Sequence, residues 1–152
     1  MPLLSIDATA PQDPDAALAA LADMGGYPEH SPSIERIDVR EEPDGTMVSE
    51  WDVEFRGGLM TWTQRDVLDR DARTLRFTQI EGDSELWEGG WSTAPDPGGC
   101  RVHFEADFEL GIPSLAEQLT PIAARALYDV IGEIIRGTLG PEAQVLTPPP
   151  SA

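Results

Sequence analysis

Two polar side chains fall on the apolar face of a predicted β-strand at residues 59–66, "LMTWTQRD". Side chains alternate between the two faces of a strand, so Met60 and Trp62 share a face with Gln64 and Asp66. A carboxylate in an apolar cavity has a raised pKa and can act as a general acid or base near neutral pH. Asp66 is therefore a candidate for abstracting a proton or assisting the loss of water. Gln64 is a candidate for orienting a substrate carbonyl.

An ordinary structural role for the two polar residues is equally compatible with the pattern. Asp69 opens a turn soon afterwards, and a strand that bends outward there would leave Asp66 solvated near its end. Gln64 would then satisfy a backbone group instead of contacting a ligand. The burial of Asp66 separates the two interpretations.

The preceding strand, residues 46–55, fixes the direction in which these side chains point. The pair Gly57–Gly58 favours a two-residue hairpin loop. This loop places Trp51 opposite Gln64 and Ser49 opposite Asp66 across the two strands. The predicted register and the alternation of apolar residues therefore agree that Gln64 and Asp66 face inward.

The remaining elements predict an α+β domain. After a first strand at residues 3–10, Asp13 is a good N-cap for an Ala/Leu-rich helix, and a loop or short second helix follows. Six antiparallel strands come next, and a long amphipathic helix spans about 113–138. A curved sheet with one apolar face packs around such a helix, and a cavity remains where the two do not fill the space. We expect one domain over residues 1–140 and a disordered Pro-rich tail over 141–152.

Inward positions on the sheet and helix supply candidate ligand contacts. Tryptophans at strand spacing favour a flat, aromatic-lined cavity suited to polycyclic ligands, and they are also usual in an ordinary core. The histidine of the loop before the second strand is either a ligand contact or an exposed loop residue. The candidate contacts are Trp51, Trp62, Gln79, Trp87, Trp91, Phe104, Leu127, Tyr128 and His30.

Charge and composition limit the partners. The net charge is −18 and the sequence contains no Lys, so phosphate backbones and anionic membranes are repelled. The single Cys100 cannot form an internal disulfide, and no apolar stretch is long enough for a membrane span, which predicts a cytoplasmic protein. The two histidines are far apart in the sequence and no phosphate-binding glycine loop occurs, so we expect neither a metal nor a cofactor.

Four stretches resemble the START-like (SRPBCC) polyketide cyclase and aromatase family: "YPEHSPSIERIDV", "TQRDVLDRDARTLRF", "WEGGWS" and "CRVHFEADFELG". Their order and spacing carry the resemblance, which covers about residues 3–138. It implies a helix-grip fold with a deep hydrophobic pocket. It also places His30 near the pocket mouth, where the family commonly has a tryptophan, as a candidate gate or proton shuttle. Family members include type II polyketide aromatase/cyclases of natural-product biosynthesis, carriers of quinones or lipids, and stress-related modules.

The aromatase/cyclases of tetracenomycin type differ from this sequence in their pocket residues. The resemblance places their tyrosine, two arginines and asparagine at Ile34, Asp66, Gln79 and Leu127, and none of the four residue types is kept. At Asp66 the sign of the charge is reversed. The resemblance therefore implies the fold without that particular mechanism.

Three functions are compatible with these observations. The first is a cofactor-independent cyclase, aromatase or dehydratase-like enzyme acting on a hydrophobic, polyketide-like substrate, with Asp66 as acid or base and Gln64 orienting. The second is a non-catalytic carrier or chaperone of a quinone, lipid or pigment, and the third is an interaction module. The negative charge disfavours contact with an acidic acyl-carrier protein, and a homodimer stays open.

Overall fold

An antiparallel sheet of eight strands forms the body of the protein. The computed structural model describes residues 3–55, 57–110 and 116–150. The strands are β1 (Leu3–Ala10), β2 (Ile34–Glu41), β3 (Met47–Phe55), β4 (Gly58–Asp69), β5 (Thr74–Gly82), β6 (Ser84–Asp96), β7 (Gly99–Leu110) and β8 (Gln144–Val145). They lie in the order β2-β3-β4-β5-β6-β7-β1-β8, so the run of six strands predicted from the sequence forms a continuous meander.

Within the described residues, two α-helices and one 3₁₀ helix pack against this sheet. Helix α1 (Pro14–Leu21) begins as predicted, because the Asp13 carboxylate accepts the Ala16 N–H at 2.9 Å. The segment predicted as a loop or short helix contains a 3₁₀ helix at Met24–Glu29. No helix within the described residues combines the length and hydropathy needed to cross a membrane.

The long helix α2 (Ala116–Leu139) supplies the other wall of the core. It runs without interruption through Pro121, so the helix does not restart there, and residues 113–115 of the predicted helix lie outside the described residues. Ile134 and Ile135 have no exposed surface. The α+β architecture, with a curved sheet around one long helix, is confirmed.

The β3–β4 hairpin differs from the predicted register. The strands close on Phe55 and Gly58, with Gly57 in the left-handed region at φ 77°, so Gly57–Gly58 does not form the loop. Each inward residue of β3 therefore pairs with a β4 residue two positions earlier than predicted, and Ser49 lies opposite Gln64. A shift of two residues keeps every side chain on its predicted face, because the side-chain period of a strand is two.

The chain does not end in a disordered tail over the whole of 141–152. Strand β8 pairs with β1, and the Leu146 N–H donates to the Asp7 carbonyl at 2.7 Å. The Thr147 hydroxyl accepts the Asp7 N–H at 2.8 Å. The tail prediction is thus wrong for this segment, because β1 would otherwise present an edge of unpaired backbone groups.

Candidate functional site

Two neighbouring chambers lie between the sheet and helix α2. The inner chamber has a volume of about 60 Å³, and sixteen described residues line it. Fourteen of them are apolar or aromatic, and the other two are Gln64 and Asp66. The outer chamber, of about 240 Å³, is more open and is bordered by the end of the β3–β4 hairpin and by α2.

The size of the two chambers limits what each can hold. The side chains that line both chambers form a partition between them: Val53, Trp62, Trp87, Leu127 and Val130. An apolar cavity of about 150 Å³ is large enough for benzene. The inner chamber therefore suits a small group or a few water molecules, and the outer chamber has room for a ring system.

Asp66 is buried at the inner chamber, with 1% of its surface exposed. Its carboxylate accepts the Ser49 hydroxyl at 2.7 Å and the Gln64 side-chain N–H at 2.6 Å. The alternative of a solvated Asp66 near a strand end is therefore wrong. Strand β4 continues for three more residues before the turn, which keeps Asp66 inside the sheet.

Gln64 connects this carboxylate to two tryptophans. Its carbonyl oxygen accepts the indole N–H of Trp62 at 2.8 Å and that of Trp87 at 2.9 Å, while its amide N–H donates to Asp66. Two donors on one side and an acceptor on the other fix the orientation of the amide. The register of the β4–β5 ladder shifts between Thr63 and Gln64, and such irregularities are frequent next to functional sites.

The hydrogen bonds around Asp66 continue through Ser49. The Trp51 indole N–H donates to the Ser49 oxygen at 2.9 Å, and the hydroxyl proton of Ser49 is directed to Asp66. Side-chain donors thus approach both carboxylate oxygens from inside the protein. This arrangement favours the ionised form of Asp66 over the neutral acid.

Burial and hydrogen bonding act in opposite directions on Asp66. Burial in the chamber raises the pKa of Asp66 to about 6, although the hydrogen bonds from Ser49 and Gln64 lower it. The carboxylate is therefore mostly ionised at neutral pH. Asp66 takes part in none of the ion pairs found among the described residues.

Tyr27 is the other titratable residue of the inner chamber lining. It is 1% exposed, and its hydroxyl donates to the Leu21 carbonyl. Burial, together with the negative charges of Asp66 and Asp23, raises the pKa of Tyr27 well above its usual range. Tyr27 therefore keeps its proton at physiological pH.

Aromatic rings surround the polar pair in a continuous series of contacts. The Trp51 and Trp62 rings are stacked, with centroids 5.4 Å apart, and the Trp62 and Trp87 centroids are 5.6 Å apart. The series continues at 4.8–5.9 Å between neighbouring centroids. We call this set the aromatic belt, which comprises Tyr27, Trp51, Trp62, Trp87, Phe77, Phe104 and Trp91. Every member lines the inner chamber.

Two of the predicted contacts, Gln79 and Tyr128, do not line either chamber. Gln79 lies opposite Gln64 on β5, but its amide donates to the Ser84 carbonyl at 2.9 Å. The Tyr128 hydroxyl donates to the Thr147 carbonyl at 2.6 Å, so it fastens the end of the chain to α2. In both residues a nearby backbone carbonyl accepts the side-chain donor, and the Gln79 side-chain oxygen is buried without a hydrogen-bond partner among the described residues.

His30 does not lie at the cavity mouth. It follows the 3₁₀ helix, and its ring packs against α2 at Gly137, where a Cβ atom would approach the ring Cγ to 2.3 Å. The absent side chain of Gly137 provides the space for the imidazole. The predicted gating position of His30 is therefore wrong, and the residue has a packing role.

Sequence reasoning missed two polar residues of the site: Ser49, which donates to Asp66, and Tyr27, which lines the inner chamber. Ser49 shares the inward face of β3 with Trp51, so the alternation placed it correctly, but its short side chain gave no reason to single it out. Tyr27 comes from the proline-containing 3₁₀ helix, which has no periodicity that marks a buried face. Within the described part of the chain, no three His, Cys, Asp or Glu side chains are placed to hold a metal ion.

Solved structures share the fold of this protein. The TTHA0849 protein of Thermus thermophilus matches with a TM-score of 0.81 at 22% identity, over 90% of this chain and 94% of that one. The Zhui aromatase/cyclase of a Streptomyces species (R1128) matches with 0.70 at 23% identity, over 89% and 95%. A START superfamily protein of Mycobacterium smegmatis matches with 0.71 at 16% identity, over 91% and 95%.

The sequence itself also identifies a family. No curated protein sequence matches the chain. The profile of the family described as polyketide cyclase / dehydrase and lipid transport, however, matches residues 10–134, which is most of the chain. With the helix-grip fold and an apolar cavity already in place, the protein belongs to the polyketide cyclase / dehydrase and lipid transport family.

Proposed function

We propose that the protein binds a hydrophobic small molecule in the two chambers and transfers a proton to or from it through Asp66, as a cofactor-independent cyclase, aromatase or dehydratase-like enzyme. One observation carries the proposal: the Asp66 carboxylate, 1% exposed, lines a chamber whose other residues, except Gln64, are apolar or aromatic. This burial raises the pKa of Asp66 to about 6. A general base works best when its pKa lies near the working pH. The Zhui aromatase/cyclase, which has the same fold, is a precedent for such chemistry.

The chemistry of the proposed reaction needs only proton transfer. Asp66 accepts a proton from an activated C–H group of the ligand. In a cyclisation, the resulting electron pair attacks a carbonyl carbon of the same ligand, the C=O π bond opens, and the new alkoxide oxygen takes the proton back from Asp66. In an elimination, the electron pair instead forms a carbon–carbon double bond. In a dehydration, the same proton returns to the departing hydroxyl group, which leaves as water. Ser49 and Gln64 hold the carboxylate in place, and the aromatic belt restricts the conformation of the bound molecule.

The first test separates binding from turnover. Tryptophan fluorescence should be quenched saturably by members of a panel of aromatic polyketides, quinones and lipids, because four tryptophans line the inner chamber. Asp66→Asn should then lower turnover of a bound ligand by about 100-fold or more. The matched control is Asp71→Asn, which removes the same charge from an exposed turn. Equal losses in both variants, or unquenched fluorescence across the panel, would contradict the proposal.

A second candidate is a non-catalytic carrier of a hydrophobic ligand. Ser49 and Gln64 each donate a hydrogen bond to one Asp66 oxygen, and this arrangement also suits a carboxylate with a purely structural role. Lipid transport also stands in the description of the family. Saturable binding of the wild-type protein that is unchanged in Asp66→Asn, without any conversion of the ligand, would establish this alternative.

A further inference from the structure

We infer that the inner chamber takes the protonated amine of an otherwise apolar ligand, whose ring system lies in the outer chamber. The inference rests on the proposed function insofar as it uses the same cavity, and it names the class of molecule that the cavity selects. Four observations support it: the unpaired charge of Asp66, the use of nearby donors, the aromatic surroundings, and the sizes of the chambers.

The first observation is an anion without a counter-ion. The sequence contains no Lys, and neither chamber is lined by any described Arg or His side chain. Buried charges are ordinarily paired, because a lone ion in an apolar interior is costly. A cationic group brought in by the ligand would complete the pair. An anionic ligand would instead place a second negative charge beside the first.

The second observation is that the three indole N–H groups next to Asp66 are already in use. The indole N–H groups of Trp62 and Trp87 donate to Gln64, and that of Trp51 donates to Ser49. These donors cannot also bind a ligand carbonyl. Each oxygen of Asp66, by contrast, accepts one side-chain hydrogen bond and keeps further acceptor capacity. The lining of the inner chamber therefore suits a ligand that donates hydrogen bonds, and it suits a ligand that only accepts them less well.

The third observation is the aromatic belt. The face of an aromatic ring attracts a cation, and cages of aromatic side chains recognise amines in this way. The seven rings of the aromatic belt line the inner chamber together with Asp66. An ammonium group in the inner chamber would thus gain from the charge of Asp66 and from the ring faces.

The fourth observation is the match of sizes. A volume of about 60 Å³ accepts an ammonium group with one or two carbons but not a ring, whereas about 240 Å³ in the outer chamber accepts a ring. Trp62 and Trp87 lie between the two spaces. The ligand expected from this arrangement is an aryl-alkyl amine with a short chain between nitrogen and ring.

Calorimetric titration with matched compounds tests the inference. The probes are 2-phenylethylamine, 2-phenylethanol and phenylacetate, which present a cation, a neutral hydroxyl and an anion on similar frames. The amine should bind at least about tenfold more tightly than the alcohol, and the acid should bind most weakly. In Asp66→Asn the preference for the amine should vanish, and in the control Asp71→Asn it should persist. A preference that survives in Asp66→Asn would overturn the inference.

A pH titration of the wild-type protein gives a second readout that needs no variant. Among the described residues that line the inner chamber, the titratable groups are Asp66 from β4 and Tyr27 from the 3₁₀ helix, since α2 and the other strands contribute apolar or aromatic side chains. Tyr27 keeps its proton throughout. The affinity for the amine should therefore fall below about pH 6, where Asp66 becomes neutral, while the affinity for the alcohol should stay level. Parallel curves for the two probes would overturn the inference.

The outcomes also separate this inference from the proposed function. If neutral polyketides or quinones bind and their turnover depends on Asp66, whereas the amine binds no better than the alcohol, the proposed function holds and the amine inference is wrong. If the amine binds with an Asp66-dependent preference but no ligand is converted, the amine inference holds and the enzymatic proposal is wrong. Failure of all probes to bind would overturn both.

Discussion

Among single side chains, Asp66 shows how a site can reduce the stability of the fold that contains it. A carboxyl group with a folded-state pKa near 6 and an unfolded-state pKa near 4 holds its proton more tightly when the protein is folded. Its stabilising contribution is complete below about pH 4 and is lost as the pH rises through 6. At neutral pH the ionised group therefore opposes folding, and two hydrogen bonds only partly offset that effect.

Removing the charge of Asp66 should therefore change stability in a pH-dependent way. Relative to the wild type, the free energy of unfolding of Asp66→Asn should increase by about 2 kcal/mol between about pH 4 and pH 7.5, because the variant avoids the ionisation that the wild type undergoes. Urea unfolding at several pH values measures this difference. The control Asp71→Asn, on the exposed turn, should run parallel to the wild type. A constant difference between Asp66→Asn and the wild type would contradict the assigned pKa.

The site was partly predictable because strand alternation is a strong signal. Gln64 and Asp66 stand out in the sequence as polar residues on an apolar face, and both are buried. Alternation cannot tell which hydrogen-bond partner a side chain finds, since that depends on atoms from distant segments. Gln79 follows the same pattern as Gln64, yet its amide turns to the Ser84 carbonyl. Polar residues were therefore placed on the correct face, and their roles were not always identified.

At the level of helices and strands, glycine positions control how closely the elements approach. Gly89 of β6 lies so near β7 that a Cβ atom would come within 2.0 Å of the Glu105 carbonyl oxygen. The Gly89–Gly90 pair predicted from the sequence as a bulge or a close approach is thus a close approach. The β6–β7 ladder continues through it without a register shift.

The effect of Gly137→Ala on stability should depend on whether the His30 ring is present. Gly137→Ala should lower the free energy of unfolding by roughly 2 kcal/mol, because the added methyl group overlaps the His30 ring. In a His30→Ala background, Gly137→Ala should raise the free energy of unfolding by up to about 1 kcal/mol, because alanine has a higher helix propensity than glycine. Denaturant unfolding of the four proteins measures this coupling.

Gly132→Ala is the matched control for this cycle. Gly132 lies in the same helix, and the nearest atoms to its Cβ position belong to the flexible Arg136 guanidinium at 3.2–3.6 Å. Gly132→Ala should leave the free energy of unfolding unchanged or raise it, both with His30 and with His30→Ala. Destabilisation by Gly137→Ala that persists in the absence of the imidazole would show that the His30 contact is not the cause.

The elements themselves were largely evident from periodicity, and the connections between them were not. The six-strand meander and the long helix follow repeating apolar patterns that many residues share. The hairpin register and strand β8 depend on a few residues each. Gly57 in the left-handed region shifts the hairpin register, and pairing with the open edge of β1 forms β8. Such local choices are settled by tertiary contacts more than by composition.

For the molecule as a whole, the excess of negative charge is the dominant electrostatic feature. The sequence contains 28 acidic residues and ten arginines. The ion pairs among the described residues are at least partly exposed to solvent. Self-repulsion of this kind destabilises the compact state and is screened by salt. The surface also draws cations towards the protein, which would raise the local concentration of a positively charged ligand.

Salt should therefore stabilise the protein at neutral pH. Raising NaCl from roughly 0.01 M to roughly 0.5 M should raise the midpoint of thermal unfolding by about 3 °C or more, because the repulsion between acidic groups weakens. Near the isoelectric point of about 4.1 the same addition should have little effect, which makes that pH the internal control. Scanning calorimetry at both pH values measures the difference. Equal salt effects at the two pH values would point to a cause other than net charge.

The stacking of Trp51 on Trp62 has a consequence for optical spectroscopy. The two indoles lie 5.4 Å apart with their planes inclined by 14°, close enough for their electronic transitions to couple. Coupled chromophores absorb as a pair, so this protein should give an exciton signal in circular dichroism that adds to the signal of its helices and strands. A molecule that enters the cavity and moves either ring would alter that signal. Circular dichroism of the Trp51–Trp62 pair should therefore report ligand binding in the cavity without an added dye.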